Sequence, residues 1–537
     1  MVRVPTGRQD GSSSLLKIVR NPSARTKDPM RPAAHPVSRL LGHVWLWPAV
    51  VMLAVGLYRV GTPELWRDEV ATWTAATRSL TDLLRLLQHI DASNGAYYLL
   101  MHGWTAVFGD SVVALRLPSV LAMAGAAAFV ALSAERLFGG RVAAIGAGLL
   151  FTAVPQVSRY AQEARVYALV TCAIAAATWF LLRALERPTW RRWAPYCAAM
   201  TLAGVGHLIS FSTVAGQAAV VLLHLWRTRG AVERRLVWQY PLAVAVSALP
   251  VVPVVILGSR QSDRQLGWID TPSFRLLVRF GEHLAGAPHV FQALALLAVP
   301  ALVLPGRRVQ AWQALLLAEL PVVGVWVVSQ GGTSYFIDRY LLFTVPAWAA
   351  LAGGGVAAVY EALAGLARPD REPRKAAAAL LALGLLALPA VAALPAQATV
   401  RYQGAHSDSE EPFRAAADLI AAGYRSGDGV AVPLGDQSWA MVGPGISYYL
   451  PSDVRPYPVF VAESAAEAEE LSPTLCAEAA ACLGQGPRIW LLVLGDTADP
   501  LAVLPSEQAQ ALRARYGAPD RVTPLGGVTL ALLNRTG

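Results

Sequence analysis

The sequence predicts an α-helical polytopic membrane protein of about eleven transmembrane helices with a small C-terminal extracytoplasmic α/β domain. Three observations predict it. Of 537 residues, 55% are hydrophobic and 15% charged, whereas a soluble protein carries about a quarter charged. Apolar runs recur along most of the chain, many near the roughly 17–20 residues that a helix needs to cross a bilayer. Alternate loops between those runs are basic, and the others are longer or mix acids with bases, the asymmetry that orients membrane helices.

Residues 1–43 are polar, basic and Pro/Ser-containing. A signal peptide has a much shorter charged region, so they read as a disordered cytoplasmic tail ahead of a signal anchor. Apolar segments follow at about 44–60, 112–135, 141–158, 165–185, 194–226, 238–257, 287–304, 311–329, 339–360 and 376–397. The segment 194–226 is too long for one span and has Gly204, Gly206 and His207 in its middle, so it reads as two helices turning near His207. With the N-terminus inside, the cytoplasmic loops become Arg136/Arg141, Arg187/Arg191/Arg192, Arg227/Arg229/Arg234/Arg235, Arg307/Arg308 and Arg368/Arg371/Arg374/Lys375. All are basic, and a single span at 194–226 would invert every later loop.

The odd span number puts the C-terminus outside. Residues 399–537 carry more Asp, Glu, Pro and Gly, with strand-like runs at Gly429–Pro433, Ile489–Leu494 and Val528–Leu533 and helix-like runs at Ala415–Ala422 and Ala465–Leu471. Cys476 and Cys482 lie close together there, and a short-loop disulfide and two free thiols are both open readings. Cys172 and Cys197 fall in apolar runs, as small hydrophobes. The +9 net charge resides in the tail and loops, so no nucleic-acid partner is expected. Gly-rich phosphate loops, zinc-type Cys/His spacings and GxSxG elbows are absent.

Chemistry is expected on the outer side. The adjacent acids Asp68 and Glu69 lie just past the first apolar run and open a polar stretch of roughly 35 residues, read as a loop. The same stretch holds His89, Asp91, Asn94, Tyr97 and Tyr98. A third cluster, Arg159, Tyr160, Gln162, Glu163, Arg165 and Tyr167, occupies a turn between spans, and a fourth, Asp338-Arg339-Tyr340, begins a late span. His207 sits at the outer turn of the broken segment. Such a set suits group transfer from a lipid-linked donor. A carboxylate takes the acceptor proton, arginines stabilise a departing phosphate, and aromatics such as Tyr97, Tyr98 and Trp66 stack on a sugar or mark the interface. The alternatives are plainer: Asp68 as an N-cap, Glu163 as a partner of Arg159 or Arg165, Arg116 as a counter-charge, Arg339 as a snorkelling arginine and His207 as a structural residue. A membrane transporter or lipid flippase is the rival function, although its charges would lie nearer the midplane and in repeated halves.

These motifs carry a resemblance. Leu65-Trp66-Arg67-Asp68-Glu69, Asn94-Gly95-Ala96-Tyr97-Tyr98, Leu115-Arg116-Leu117-Pro118-Ser119, Tyr160-Ala161-Gln162-Glu163-Ala164-Arg165-Val166-Tyr167 and Asp338-Arg339-Tyr340-Leu341 are similar, in order and spacing, to the GT-C superfamily of membrane glycosyltransferases. The resemblance lies near the glycosyltransferase family 39, or protein mannosyltransferase, and aminoarabinose transferase branch, and it covers roughly residues 44–400. It implies an inverting transfer from a polyprenyl-phosphate sugar to an acceptor hydroxyl of a protein, lipid or glycan on the extracytoplasmic face. Asp68 would be the catalytic base, and Glu69 is expected to help position the acceptor or a divalent cation. Glu163 would orient the acceptor or bind a metal where the branch uses one. Arg116 and Arg339 would support the acidic pair or the donor phosphate. Asp91, Tyr97, Tyr98, Arg165, Tyr340 and His207 complete the expected substrate site. A divalent cation, held by Asp68 and Glu163, stays open. Relatives commonly have His-Pro-Pro-Leu-Tyr-Tyr where this chain reads Ser93-Asn94-Gly95-Ala96-Tyr97-Tyr98, a departure that alters the loop. The Ala/Arg/Val/Gly-heavy usage points to a high-GC bacterium and so to a bacterial plasma membrane.

Overall fold

A computed structural model describes residues 42–228, 233–261, 267–365, 372–404, 412–433 and 435–536. The expected disordered tail, apart from its last two residues, lies outside the described residues, as do Arg229, Arg368 and Arg371. Val44–Gly537 pack as one unit.

The first apolar run is helix α1 (Leu46–Leu57). Beyond a strap at 58–66, the stretch expected as a polar loop is instead three helices: α2 (Arg67–Ala76), α3 (Leu80–His89) and α4 (Gly95–Phe108). Ser79 starts α3 by accepting the Asp82 N–H, and Leu83 and Leu86 bury its inner face. That apolar spacing with a serine cap is the helical signal that polarity concealed.

Helix α5 (Val112–Phe138) is capped by Ser111. It is followed by α6 (Gly140–Ala153) and α7 (Pro155–Ala161), bent by 71° where Pro155 begins α7, and by α8 (Tyr167–Glu186). The long apolar segment does break at His207, between α9 (Trp190–Gly206) and a 3-10 turn (Leu208–Ser212) leading into α10 (Thr213–Thr228). Helices α11 (Leu236–Ala248) and α12 (Val252–Ser259) make one span. Helix α13 (Phe274–Ala285), in a stretch read as loop, meets α14 (Pro288–Val303) at 97°. Helix α15 (Arg308–Val328), a 3-10 turn (Asp338–Thr344) running into α16 (Val345–Gly365), and α17 (Glu372–Tyr402) complete the bundle.

Among the described residues, seven helices are long and apolar enough to cross a membrane, or nine if each bent pair is one span. Helix α1, with 12 residues, falls short of a straight crossing, and α9, with 17, is at the lower limit of one. Each expected apolar segment nevertheless has its helix. Small residues let the bundle close: a Cβ on Gly353 would meet the Ala147 nitrogen at 2.6 Å, and one on Gly355 the Leu297 carbonyl oxygen at 1.8 Å. Arg116 lies near the start of α5, and Arg136 lies about 30 Å further along it by helical rise. There Arg136 pairs with Glu186 at the end of α8, so the basic loop and the acidic cluster occupy opposite ends of these helices.

Helix α17 runs past the expected boundary at 399. After it come α18 (Phe413–Gly423), β1 (Gly429–Ala431), α19 (Val442–Tyr449), β2 (Tyr457–Val459), β3 (Val461–Glu463), β4 (Thr474–Leu475), β5 (Arg488–Leu494), α20 (Ser506–Tyr516), β6 (Arg521–Pro524) and β7 (Val528–Asn534). The main sheet has the order β2-β1-β5-β7-β6, parallel across β1 and antiparallel at β7. Central β5 is buried on both faces, which is why it reads as a continuous apolar run.

The expected helix at Ala465–Leu471 does not form. Glu469 takes φ +55° and the Glu470 N–H reaches back to the Ala465 carbonyl, ending the turn. Contacts with the first helices hold it there: His89 Nδ1 lies 2.9 Å from the Glu469 carboxylate, and Arg78 donates to the Glu470 carbonyl. Tertiary contacts override local propensity here. Cys476 and Cys482 form a disulfide, and Cys172 and Cys197 are free. A loop this short constrains the unfolded chain modestly. The double Cys→Ser variant is expected to lose about 2 kcal/mol of stability, read as a lower Tm with an unchanged bundle.

Candidate active site

The site is built on three backbone breaks that let polar side chains reach one another. Trp66 starts α2 as a capping box, with the Glu69 carboxylate accepting the Trp66 N–H at 3.4 Å. The residues between α7 and α8 turn inward because Ser119, on α5, donates to the Glu163 carbonyl at 2.7 Å, and because Gln162 donates to the carbonyls of Gly56 and Tyr58 at 2.8 and 2.7 Å. At the start of the 3-10 turn before α16, Asp338 accepts from Gln156 at 2.7 Å.

Within this frame the acids separate by role. Glu69 is 1% exposed and fully engaged: one oxygen takes Arg116 Nε at 2.8 Å and the Ala164 N–H at 2.7 Å, and the other takes Arg116 Nη2 at 2.6 Å. Arg116 spends its remaining N–H groups on the carbonyls of Val60, Pro63 and Glu64 at 2.8, 3.1 and 2.7 Å. This corrects two expectations. Glu69 has no oxygen free to position an acceptor, and Arg116 has no N–H left for a donor phosphate. The pair is a buried brace under the strap.

Asp68 is different. Its side chain keeps 24% exposure, and its ion partner among the described residues is Arg165 Nε, 3.9 Å away. Arg165 Nη1 also lies 3.4 Å from the Tyr98 hydroxyl, which donates to Asp91 at 2.6 Å. Burial raises the Tyr98 phenol well above its ordinary value, with the Asp91 charge adding to it, so it stays a donor. Tyr97, Tyr98 and Trp66 are 2%, 0% and 5% exposed. The expectation that they stack on a sugar is therefore corrected: the apolar faces of α2 and α4 enclose them, and Tyr98 and Asp91 back up Arg165. The more accessible rings are those of Tyr340, His207 and Trp268, while Tyr167 beside them is buried. The Tyr340 ring lies 4.5 Å from His207 and 6.2 Å from Tyr167, and Arg339 lies over the Trp268 and Tyr340 rings.

Glu163 is 3% exposed, with Arg159 3.8 Å away, and its Oε1 makes no hydrogen bond. Arg339 Nε is likewise buried without one. Burial outweighs the distant Arg159 charge and pushes the Glu163 carboxyl up to about 8. A group that holds its proton in the folded state and releases it in the unfolded one makes stability fall as pH rises between the two values. Wild-type Tm is thus expected to decline, relative to Glu163→Gln, as pH rises from about 4.5 to about 8, and to level off above. A difference that does not change with pH would contradict this assignment.

Among the described residues no cluster of three or more His, Cys, Asp or Glu side chains has metal-binding geometry. Asp68 and Glu163 each face an arginine that already supplies a balancing positive charge, so this donor set does not fit a divalent cation. A cleft of about 320 Å³ opens between Trp66, Arg159, Gln162 and Glu163 on one side and Val400 and Gly404 of the α17 end on the other. Gln162, Ser119 and Arg159 hold this architecture; the sequence motifs contain all three, but give none of them this bracing role.

Residues 96–257 match the family model for dolichyl-phosphate-mannose-protein mannosyltransferase. Comparison with curated proteins gave no match. Among solved structures, the chain is similar to ArnT from Cupriavidus metallidurans bound to undecaprenyl phosphate, with a TM-score of 0.56 at 15% identity over 93% of this chain and 98% of that one. The apo ArnT structure gives 0.53 at 16% over 92% and 98%. The chain thus shares the fold of the ArnT structures, the helical membrane fold that the motif resemblance implied.

Proposed function

We propose that this protein transfers a sugar from a polyprenyl-phosphate donor to an acceptor hydroxyl on the extracytoplasmic face of a bacterial plasma membrane, with inversion. The observation that carries the reading is the division of labour between the acids. Glu69 is consumed by Arg116, whereas Asp68 stays partly exposed with arginines on the other sides of the site. In the proposed step Asp68 takes the acceptor O–H proton as the oxygen attacks the anomeric carbon. The bond from that carbon to the phosphate oxygen breaks, and polyprenyl phosphate departs as an anion. Arg339 and Arg165 offset the developing charge. Neutral Glu163 donates a hydrogen bond that orients the sugar or acceptor, and Tyr340 and His207 form an aromatic floor.

A lipid donor is supported by an apolar crevice among α5, α8, α10, α15 and α16, lined by Val130, Ile174, Leu317 and Phe343, which offers isoprenoid units a low-cost environment. The ArnT structure with undecaprenyl phosphate gives the same fold in the presence of such a lipid. The N-terminus is then cytoplasmic and the C-terminal α/β region extracytoplasmic.

The test supplies purified protein in liposomes with a panel of labelled polyprenyl-phosphate sugars and simple acceptors. Labelled product of inverted anomeric configuration is expected from at least one donor. Retained configuration would remove the single-displacement step, and labelled lipid crossing the bilayer unchanged would favour a flippase.

A further inference from the structure

We propose that Tyr449, in the C-terminal α/β region, is a positioning residue for Asp68. The inference rests on the transferase reading above but concerns a part of the chain that reading leaves without a role. The strap 58–66 enters α2 through Leu65 and Trp66, and Asp68 is the second residue of that helix. Whatever fixes the strap fixes where the first turn of α2 begins, and with it the direction of the Asp68 side chain.

From below, Arg116 holds the carbonyls of Val60, Pro63 and Glu64. From above, the Leu65 N–H donates to the Tyr449 hydroxyl at 2.7 Å, and the Glu64 carboxylate accepts the Arg414 N–H at the start of α18 at 2.9 Å. Leu65 is 1% exposed, so without Tyr449 its amide would be buried unpaired. The grip extends to α2 itself: the Tyr448 ring meets Trp73 edge-on at 5.1 Å. Tyr449 and the first turn of α18 thus hold the strap together with Arg116, and Tyr448 holds α2 beside it.

Four proteins in liposomes test this: wild type, Tyr449→Phe, Arg414→Pro and Tyr516→Phe. Arg414→Pro deletes the amide that Glu64 accepts at a first-turn position where proline is tolerated. Tyr516→Phe removes another phenol hydrogen bond to backbone, here donated to the Gly486 carbonyl at 2.8 Å and remote from the strap. Tyr449→Phe is expected to lower kcat roughly tenfold with donor KM nearly unchanged, and to speed hydrogen exchange in the strap. Tyr516→Phe is expected to keep wild-type kcat. Equal kcat in Tyr449→Phe and wild type, or equal losses in Tyr449→Phe and Tyr516→Phe, would overturn the proposal. Should Tyr449→Phe fail to insert, Arg414→Pro carries the test, and wild-type kcat there would overturn it. Should wild type transfer no sugar, the transferase reading fails by itself. Strap exchange still decides the contact, and unchanged exchange in Tyr449→Phe would end the proposal.

Discussion

Asp68→Asn is expected to lower kcat by about a thousandfold, the order of magnitude of a lost general base, while donor KM and Tm hold. Asparagine keeps the size and the α2 first turn but cannot accept a proton. Among the described residues the Asp68 carboxylate has one ion contact, a long one to Arg165 at 3.9 Å, so little of the fold depends on its charge. Restored activity with a small, already ionised nucleophile in place of the acceptor hydroxyl would strengthen the assignment. A variant that turns over at the wild-type rate would move the base elsewhere, with Glu163 the next carboxylate.

Arg116→Ala is expected to act on folding. It leaves the Glu69 carboxylate buried and unpaired and frees three strap carbonyls at once. Breaking a buried pair from one side costs about 3–5 kcal/mol, so the variant should show a much lower Tm or fail to accumulate in the membrane. Arg116→Lys should rescue little, because a point charge cannot replace a fork that bonds two carboxylate oxygens and three carbonyls. The double variant Arg116→Met with Glu69→Gln should be less damaging than Arg116→Ala with Glu69 intact, since no unpaired charge is left behind. A stable Arg116→Ala protein with raised donor KM would instead place Arg116 at the phosphate.

These two residues show how far the sequence could be read. Hydropathy runs and basic loops located a helix for each apolar segment, including the break at His207, because bilayer thickness and backbone satisfaction leave few alternatives. The clusters around Asp68, Glu163, Arg165 and Arg339 were legible because charge next to lipid is costly. Which acid was braced and which was available was not legible. Asp68 and Glu69 are neighbours in sequence, and only the turn of α2 sends one into the Arg116 fork and leaves the other partly exposed. Helices α2, α3, α4 and α13 were missed because they lie in stretches whose charged and polar residues read as loop. The role of Tyr449 was invisible for a different reason: its partner Leu65 lies 384 residues away, and nothing in local pattern connects them.

The most direct test of the account is the stoichiometry of donor cleavage. With protein-matched liposomes, labelled polyprenyl-phosphate sugar and an acceptor, free polyprenyl phosphate and glycosylated product are followed together in wild type and Asp68→Asn. One lipid phosphate per product in wild type, and neither in the variant, is the expected result. Product at equal rates in both, or product formed from a nucleotide sugar without any lipid donor, would contradict it.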